Sequence, residues 1–375
     1  MTIPHNPENE RLKRRYADYL HVAKGYDDAT VDTHLRAIAM FEQSTGWKRF
    51  GQFHIEQARA FKRWLAKHVN GRTGKPLSKG TTSHALRANQ RFFLWLADQS
   101  GYRSKISYAD TEYFTPDRRD VRTGASGVGK PVPSLEQIRH VIAQMPHGTD
   151  TQKRDRALLA FTLLTGARDG AIVTLRLKHI DVHQRRLVQD GRDVHTKGGK
   201  TIETWFFPVG DEVEQVVVDW VRSLETEKLF GSDDPLFPRT AVTTGETGGF
   251  QSGGLSRDAW RTAEPIRQVF RKAFSSVGLS PFNPHSFRHT LARLGERVCR
   301  TPEEFKAWSQ NLGHEKVLTT FSSYGKVEPH RQGELIGALR QRSSDSTEDE
   351  MDRRIDAAIR RRLKTDGSVA PSNEG

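Results

Sequence analysis

A mainly α-helical protein with a small antiparallel β-sheet is the fold that this sequence predicts, and three observations support it. Apolar residues recur at helical spacing through most of the 375-residue chain. Between residues 179 and 209 this spacing gives way to short β-like stretches. Near residue 120, a charged stretch rich in Pro and Gly divides the chain, which at about 150 residues per domain is long enough for two domains.

The first region, residues 1–110, predicts a small helical domain. Asp28 is placed to cap a helix whose apolar residues recur every three or four positions until Gly46 ends it. Two further helices carry the apolar residues Phe61, Trp64, Leu65 and Val69, and Leu86, Phe92, Phe93, Leu94 and Leu96. The same helices bear many cations, Arg36, Arg87 and Arg91 among them, which would suit a surface that contacts phosphates.

Residues 111–133 lack an apolar period and predict an interdomain linker. The second domain, residues 134–340, begins with a capping box formed by Ser134 and Gln137. Its elements follow in order as helices at about 152–165, 169–177 and 211–226, and as β-like stretches at His179–His183, Arg186–Gln189 and Thr201–Val209. A Gly-, Thr- and Ser-rich stretch at 240–256 predicts a surface loop, and 341–375 a charged tail with a short amphipathic helix.

Composition indicates a nucleic-acid partner. The chain has 59 Lys and Arg residues against 46 Asp and Glu residues, a formal net charge of +13, as expected for a protein that works against polyanions. The single cysteine, Cys299, excludes internal disulfides and zinc sites built from paired thiols. No secretory signal and no apolar stretch of bilayer length are present. We therefore expect a cytoplasmic protein with no membrane partner.

Four short strings in the second domain carry residues suited to phosphate chemistry. They are the segments Leu164–Arg168, Thr196–Lys200, His285–His289 and Leu312–His314, the last followed by Tyr324. Each string alone is common, since an Arg after a Gly is usually a cation at a helix end. Their joint occurrence in this order is specific.

In these strings the sequence closely resembles the tyrosine recombinase family, also called the phage integrase family, over residues 135–326. The resemblance implies a helical core-binding domain followed by an α+β catalytic domain. It implies an active site made of Arg168, Lys197, His285, Arg288, His314 and the nucleophile Tyr324. It also implies cleavage of double-stranded DNA through a 3′-phosphotyrosine, with no cofactor, metal ion or ATP. Lys200 is a rival to Lys197 as the general acid.

The chemistry of strand cleavage explains why these residue types are needed. Two guanidiniums, Arg168 and Arg288, can donate to the nonbridging oxygens on which charge develops. A phenol with a pKa of about 10 needs a proton acceptor and an aligned phosphorus before it attacks. Six of the seven tyrosines precede residue 114, so Tyr324 has no competitor in the second domain. His285 and Arg288 lie three residues apart, on one face of a helix.

Two positions depart from the family pattern. A carboxylate that often follows the first arginine by three residues is replaced by Ala171, and the nearest acid is Asp169. The support for the Arg168 side chain is therefore left open by the sequence. Tyr324 follows His314 by ten residues, whereas nine is the common spacing.

The predicted function is site-specific DNA recombination, either integration and excision of a mobile element or resolution of DNA multimers. The resemblance implies a homotetramer on two DNA sites and a monomer or dimer off DNA, and we expect the tail helix to dock on a neighbouring protomer or to lie loosely in solvent. Two alternatives remain open at this point. One is a type IB topoisomerase, which uses similar chemistry to relax supercoils, and the other is a non-catalytic DNA-binding protein that keeps the fold.

Overall fold

A computed structural model describes residues 5–71, 73–125, 131–196, 198–244, 250–314, 332–334 and 336. The chain divides into two compact units, Met1–Lys130 and Pro131–Gly375. In the described residues no helix is long and apolar enough to cross a membrane. The predicted tail helix within 341–375 lies outside the described residues.

The first unit is helical, as predicted. Its described helices are α1 (Pro7–Val22), α2 (Asp28–Thr45), α3 (Ile55–Lys67), α4 (Lys79–Ala97), α5 (Tyr108–Thr111) and α6 (Arg118–Ala125). The cap of α2 is Asp27 rather than Asp28, because it is the Asp27 carboxylate that accepts the Thr30 N–H, at 2.8 Å. Gly46 ends α2 in the left-handed conformation, with φ of 65°.

Aromatic side chains fill the core of the first unit. Phe93 stacks on Phe53 and on Phe114, with ring centroids 4.1 Å and 5.5 Å apart, and Phe41 meets all three rings edge-on. Phe114 is fully buried although the sequence places it in the predicted linker. Residues 108–125 therefore fold with the first unit as α5, a short 3₁₀ turn and α6, because burial of Phe114 anchors this stretch to the core.

The second unit is mainly helical with two small antiparallel sheets. Its described helices are α7 (Leu135–Gln144), α8 (Asp150–Thr165), α9 (Asp169–Ile172), α10 (Asp211–Arg222), α11 (Glu264–Ser276), α12 (Pro284–Val298) and α13 (Pro302–Asn311). The capping box of Ser134 and Gln137 at the start of α7 is confirmed. Every residue of α8 from Ala157 to Thr165 is buried, so this helix forms the centre of the core and shows no amphipathic period.

The predicted sheet has the strand order β1-β2-β3, with β1 (Ile180–Asp181), β2 (Arg186–Gln189) and β3 (Ile202–Trp205). All pairs are antiparallel, and Leu187 of β2 faces Thr204 of β3. Strand β2 has the predicted bounds, whereas β1 and β3 are shorter than the predicted stretches. The sheet leaves β3 at an edge, next to the loop that contains the second of the four strings.

The predicted surface loop at 240–256 is instead part of a second hairpin, formed by β4 (Pro238–Thr244) and β5 (Phe250–Ala259). Gly, Thr and Ser residues hide this strand pairing from a propensity-based prediction. Arg154 anchors the hairpin to α8, because its Nη1 donates to the Pro238 carbonyl and to Thr240 Oγ1, each at 3.0 Å, and its guanidinium lies over the Trp260 ring.

Candidate active site

The Thr-Gly turn at the end of α8 places Arg168. Gly166 caps the helix in the left-handed conformation with φ of 62°, and an added Cβ would lie 3.0 Å from Leu312 Cδ2. A glycine is therefore required by both the backbone angle and the space. Two residues later Arg168 caps α9, with its side chain half-buried. Among the described residues the Arg168 guanidinium has no hydrogen-bond or ion-pair partner.

Arg288 of α12 joins three of the four strings. Its buried guanidinium donates through Nη1 to the Gly166 carbonyl and through Nη2 to the Leu312 carbonyl, the latter at 2.5 Å. Nη2 also lies 3.1 Å from His314 Nε2. Because a guanidinium only donates, His314 Nε2 is the acceptor and its proton sits on Nδ1. The contacts bring the Thr-Gly turn and the Leu-Gly-His segment onto one side chain.

His314 is presented by the end of α13. Gly313 adopts a φ of 67°, its N–H donates to the Gln310 carbonyl at 2.7 Å, and the His314 N–H donates to the Ser309 carbonyl at 3.1 Å. This pair of bonds is the Schellman arrangement, in which a left-handed glycine reverses the chain after a helix. The Leu-Gly-His string is thus a helix stop that turns the imidazole toward Arg288.

His285 lies in the first turn of α12, three residues before Arg288. Asn283 caps this helix by accepting the Ser286 N–H at 3.1 Å. The His285 and His289 rings are in edge-to-face contact, with centroids 5.1 Å apart. The first turn therefore presents two imidazoles one turn apart on the face that carries Arg288.

The electrostatics of the site keep both predicted histidines neutral. Loss of hydration on burial, together with the positive charges of Arg288 and Arg168, lowers the pKa of His314 to about 4. His285 keeps considerable solvent exposure, yet its pKa also falls to about 4, through lost hydration, His289 and the two guanidiniums. Burial lowers the pKa of Arg168, which still remains charged at neutral pH. The site thus combines two fixed cations with two neutral imidazoles.

Two of the predicted residues, Lys197 and Tyr324, lie outside the described residues. Lys200, the rival of Lys197, is described and exposed in the loop between β2 and β3. The structure therefore brings Arg168, Arg288, His285 and His314 together, and the assignment of the nucleophile and of the general acid stays a prediction.

Asp169 is a neighbour of the site that the sequence left without a role. Its Oδ2 accepts the Arg267 Nε–H at 2.8 Å and its Oδ1 accepts the Gly170 N–H at 3.0 Å. Its negative charge opposes the lowering of the His285 pKa. Ala171, which stands where the family often has a carboxylate, is buried. Asp169 therefore interacts with Arg267 and His285 and forms no hydrogen bond with Arg168 in the described part of the chain.

The lowered histidine pKa values predict how stability changes with acidity. Between the ordinary pKa of 6.5 and the folded value of about 4, the unfolded chain binds more protons than the folded protein. The free energy of unfolding should therefore fall as the pH is lowered through this window. The free energy of unfolding of the double variant His285→Asn/His314→Asn should fall less steeply than that of the wild type, as measured by urea unfolding at about pH 7 and about pH 5. Equal slopes for the two proteins would contradict the prediction.

Comparisons with known proteins agree with this geometry. Residues 134–331 match the Phage integrase family. Tyrosine recombinase XerC of Lactobacillus delbrueckii subsp. bulgaricus is 23% identical over 317 residues, which cover 82% of this chain and 92% of that protein. Tyrosine recombinase XerD of Neisseria meningitidis serogroup B is 26% identical over 251 residues, 64% of this chain and 71% of that protein.

Solved structures of DNA complexes share the fold. XerH site-specific recombinase bound to palindromic difH substrate aligns with a TM-score of 0.57 at 14% identity, covering 87% of this chain and 82% of that one. A lambda integrase dimer bound to a COC′ core site aligns with a TM-score of 0.55 at 13% identity, covering 85% and 99%. Since the family match spans more than half of the sequence and contains all four strings, this protein belongs to the phage integrase family.

Proposed function

We propose that this protein is a site-specific recombinase that cuts and rejoins double-stranded DNA through a phosphotyrosine on Tyr324. The observation that carries the proposal is the convergence of Arg168, Arg288, His285 and His314 at the end of α8. Residues that are 122 positions apart in sequence meet through one hydrogen bond, that of Arg288 with Gly166. A structural role alone does not require two guanidiniums beside two neutral imidazoles.

In the proposed cleavage step the phosphoryl group passes from the 5′-oxygen of the DNA to the Tyr324 oxygen. The Tyr324 oxygen attacks phosphorus, the bond from phosphorus to the 5′-oxygen breaks, and the tyrosine proton passes to a neighbouring acceptor. His285 is neutral above its pKa of about 4 and can accept that proton, although a pKa so far below neutrality makes it a weak base. Arg168 and Arg288 stabilise the charge that grows on the nonbridging oxygens.

The departing 5′-oxygen takes a proton from Lys197, the assigned general acid, a role worth a factor of about 10² to 10⁴. The phosphotyrosine keeps the energy of the broken bond. A 5′-hydroxyl of another strand can therefore attack it and release the tyrosine, with no ATP, cofactor or metal ion in the scheme.

The proposed partner is double-stranded DNA, and the roles proposed for the two units follow the family pattern. The first unit would act as the core-binding domain and the second, to about residue 340, as the catalytic domain. The proposed working assembly has four protomers on two DNA sites. The reaction would serve either integration and excision of a mobile element or resolution of DNA multimers, as a protein acting in the cytoplasm.

One face of α4 supports a DNA contact by the first unit. His84, Arg87 and Arg91 are exposed at spacings of three and four, so they lie on the same face of the helix. They line a cavity of about 340 Å³ together with His34 of α2. We expect Arg87→Ala and Arg91→Ala each to reduce the slope of log K against log salt concentration by about 1, because each removes one phosphate contact.

Fluorescence anisotropy with a labelled duplex, measured over a salt series, checks this expectation. Arg103→Ala is the matched control, since it removes the same charge from an exposed loop of the first unit. Slopes for the two α4 variants that equal those of the wild type and of the control would show that this face does not contact phosphate.

A nicked suicide duplex tests the proposed function itself. After cleavage the short fragment beside the nick diffuses away, so the covalent complex accumulates and can be digested and mapped. The proposal expects an adduct on the peptide that contains Tyr324, formed equally well with a chelator and without ATP. Absence of any adduct across candidate sites would instead indicate a DNA-binding protein without activity.

A further inference from the structure

Asn311, the last residue of α13, fastens this helix to the free edge of the three-stranded sheet. Its Oδ1 accepts the Trp205 N–H at 2.7 Å, and its Nδ2 donates to the Trp205 carbonyl at 2.8 Å. Thr204 Oγ1 donates to the Asn311 carbonyl at 3.1 Å. One side-chain amide thus pairs with the edge strand β3 in both directions, as the backbone of a further strand would.

The hydrogen bonds of Asn311 with Thr204 and Trp205 form a clip that joins two parts of the candidate site. On one side, β3 follows directly after the loop that contains Lys197 in the sequence. On the other side, the chain continues from Asn311 to the Leu312 carbonyl, which accepts from Arg288. The packing agrees, because an added Cβ on Gly313 would lie 3.0 Å from Ile202 Cδ1 of β3. A continuous set of contacts therefore runs from Arg288 to the hairpin.

The exposure of the clip indicates what it does. Trp205 keeps 53% of its surface exposed, so water can replace the two hydrogen bonds of the Asn311 amide if that side chain is removed. The net contribution of such exposed bonds to stability is small. Their geometric effect is larger, because without them β3 is free to shift against α13. Small displacements of a catalytic group are costly, about 10²-fold in rate for 1 Å.

We propose that Asn311 is a positioning residue that holds the hairpin bearing Lys197 in register with Arg288 and His314. This inference rests on the proposed function, in which Lys197 protonates the departing 5′-oxygen. Asn311 acts through the hairpin and does not touch DNA at the reacting phosphate. Its loss therefore slows the step that needs the lysine proton and leaves the two guanidiniums in place.

Single-turnover cleavage of two suicide duplexes tests the inference. The second duplex has sulfur in place of the 5′-bridging oxygen at the cut, and a thiolate leaves without being protonated. We expect Asn311→Ala to cleave the oxygen duplex about 10- to 100-fold more slowly than the wild type, and the sulfur duplex at close to the wild-type rate. Lys197→Ala should show the same rescue, and DNA affinity should be unchanged.

The control is Gln310→Ala, which truncates an exposed neighbour on the same helix and should match the wild type on both duplexes. Thr204→Val removes one hydrogen bond of the clip and is a milder change. It should cause a smaller loss of cleavage rate on the oxygen duplex, and this loss should also disappear on the sulfur duplex. Thermal unfolding confirms that each variant is folded before its rates are compared.

Equal losses on both duplexes, or no loss on either, would overturn the role of Asn311 while leaving the recombinase function intact. A wild-type protein that forms no adduct on either duplex would overturn the proposed function and this inference together. The two failures are therefore told apart by the wild-type reaction.

Discussion

Tyr324→Phe is expected to abolish the covalent adduct with DNA and to leave DNA affinity unchanged. The substitution removes one oxygen, which is the attacking atom in the proposed step, and keeps the aromatic ring. No other tyrosine lies in the second unit, so no neighbouring phenol can replace it. The measurement is a denaturing gel of the suicide duplex after incubation, with affinity taken from anisotropy on the uncut duplex.

Tyr113→Phe is the matched control, because Tyr113 is an exposed tyrosine of the first unit. It should form adduct at the wild-type rate. Adduct formation by Tyr324→Phe would show that the nucleophile is a different residue. Relaxation of plasmids that lack any particular site by the wild-type protein would favour a type IB topoisomerase over a recombinase.

Alanine substitution of either arginine of the site is expected to cause a large loss of activity, but only one of the two substitutions is expected to destabilise the protein. Arg168→Ala and Arg288→Ala should each slow cleavage by about 10² to 10³ or more, since each removes donors to the nonbridging oxygens. Only Arg288 also donates to two carbonyls of the protein, those of Gly166 and Leu312. Its loss should lower the free energy of unfolding by about 2 to 6 kcal/mol, at about 1 to 3 kcal/mol for each of the two unsatisfied carbonyls.

Arg168→Ala should unfold at nearly the wild-type urea concentration, because no partner for its guanidinium occurs in the part of the chain described. Single-turnover cleavage and urea unfolding measured on the same preparations separate the two effects. Arg293→Ala, an exposed cation on α12, controls for the lost charge. An Arg288→Ala protein as stable as the wild type would contradict the assigned hydrogen bonds, and an active Arg168→Ala protein would remove Arg168 from the site.

Sequence periodicity predicted much of the fold because helices are stabilised by neighbours three and four residues apart. The capping box at Ser134 and the helix α4 were recovered in this way. The hairpin β4–β5 was missed because its Gly-, Thr- and Ser-rich composition is that of a loop, and only the pairing of its two strands shows that it is a sheet. The place of Phe114 was missed for a related reason, since burial of one ring depends on Phe53 and Phe93 from distant segments.

The residues of the candidate site divide in the same way. Arg168, His285, Arg288 and His314 could be predicted because their order along the chain matches a family pattern. Asn311 was missed, since an asparagine at a helix end carries no chemical signal and its partner Trp205 lies 106 residues away. The lowered histidine pKa values were also beyond the sequence, because they depend on which cations surround each ring.

The helical class, the positive charge and the reactive side chains could be predicted from the residues alone, because each of these is a local or compositional property. It took the folded chain to show that Arg288 joins the Thr-Gly turn to the Leu-Gly-His segment and that Asn311 binds the hairpin beside them. The physical reason is that hydrogen bonds and fields act over a few ångströms of space, whatever the separation of their partners along the chain.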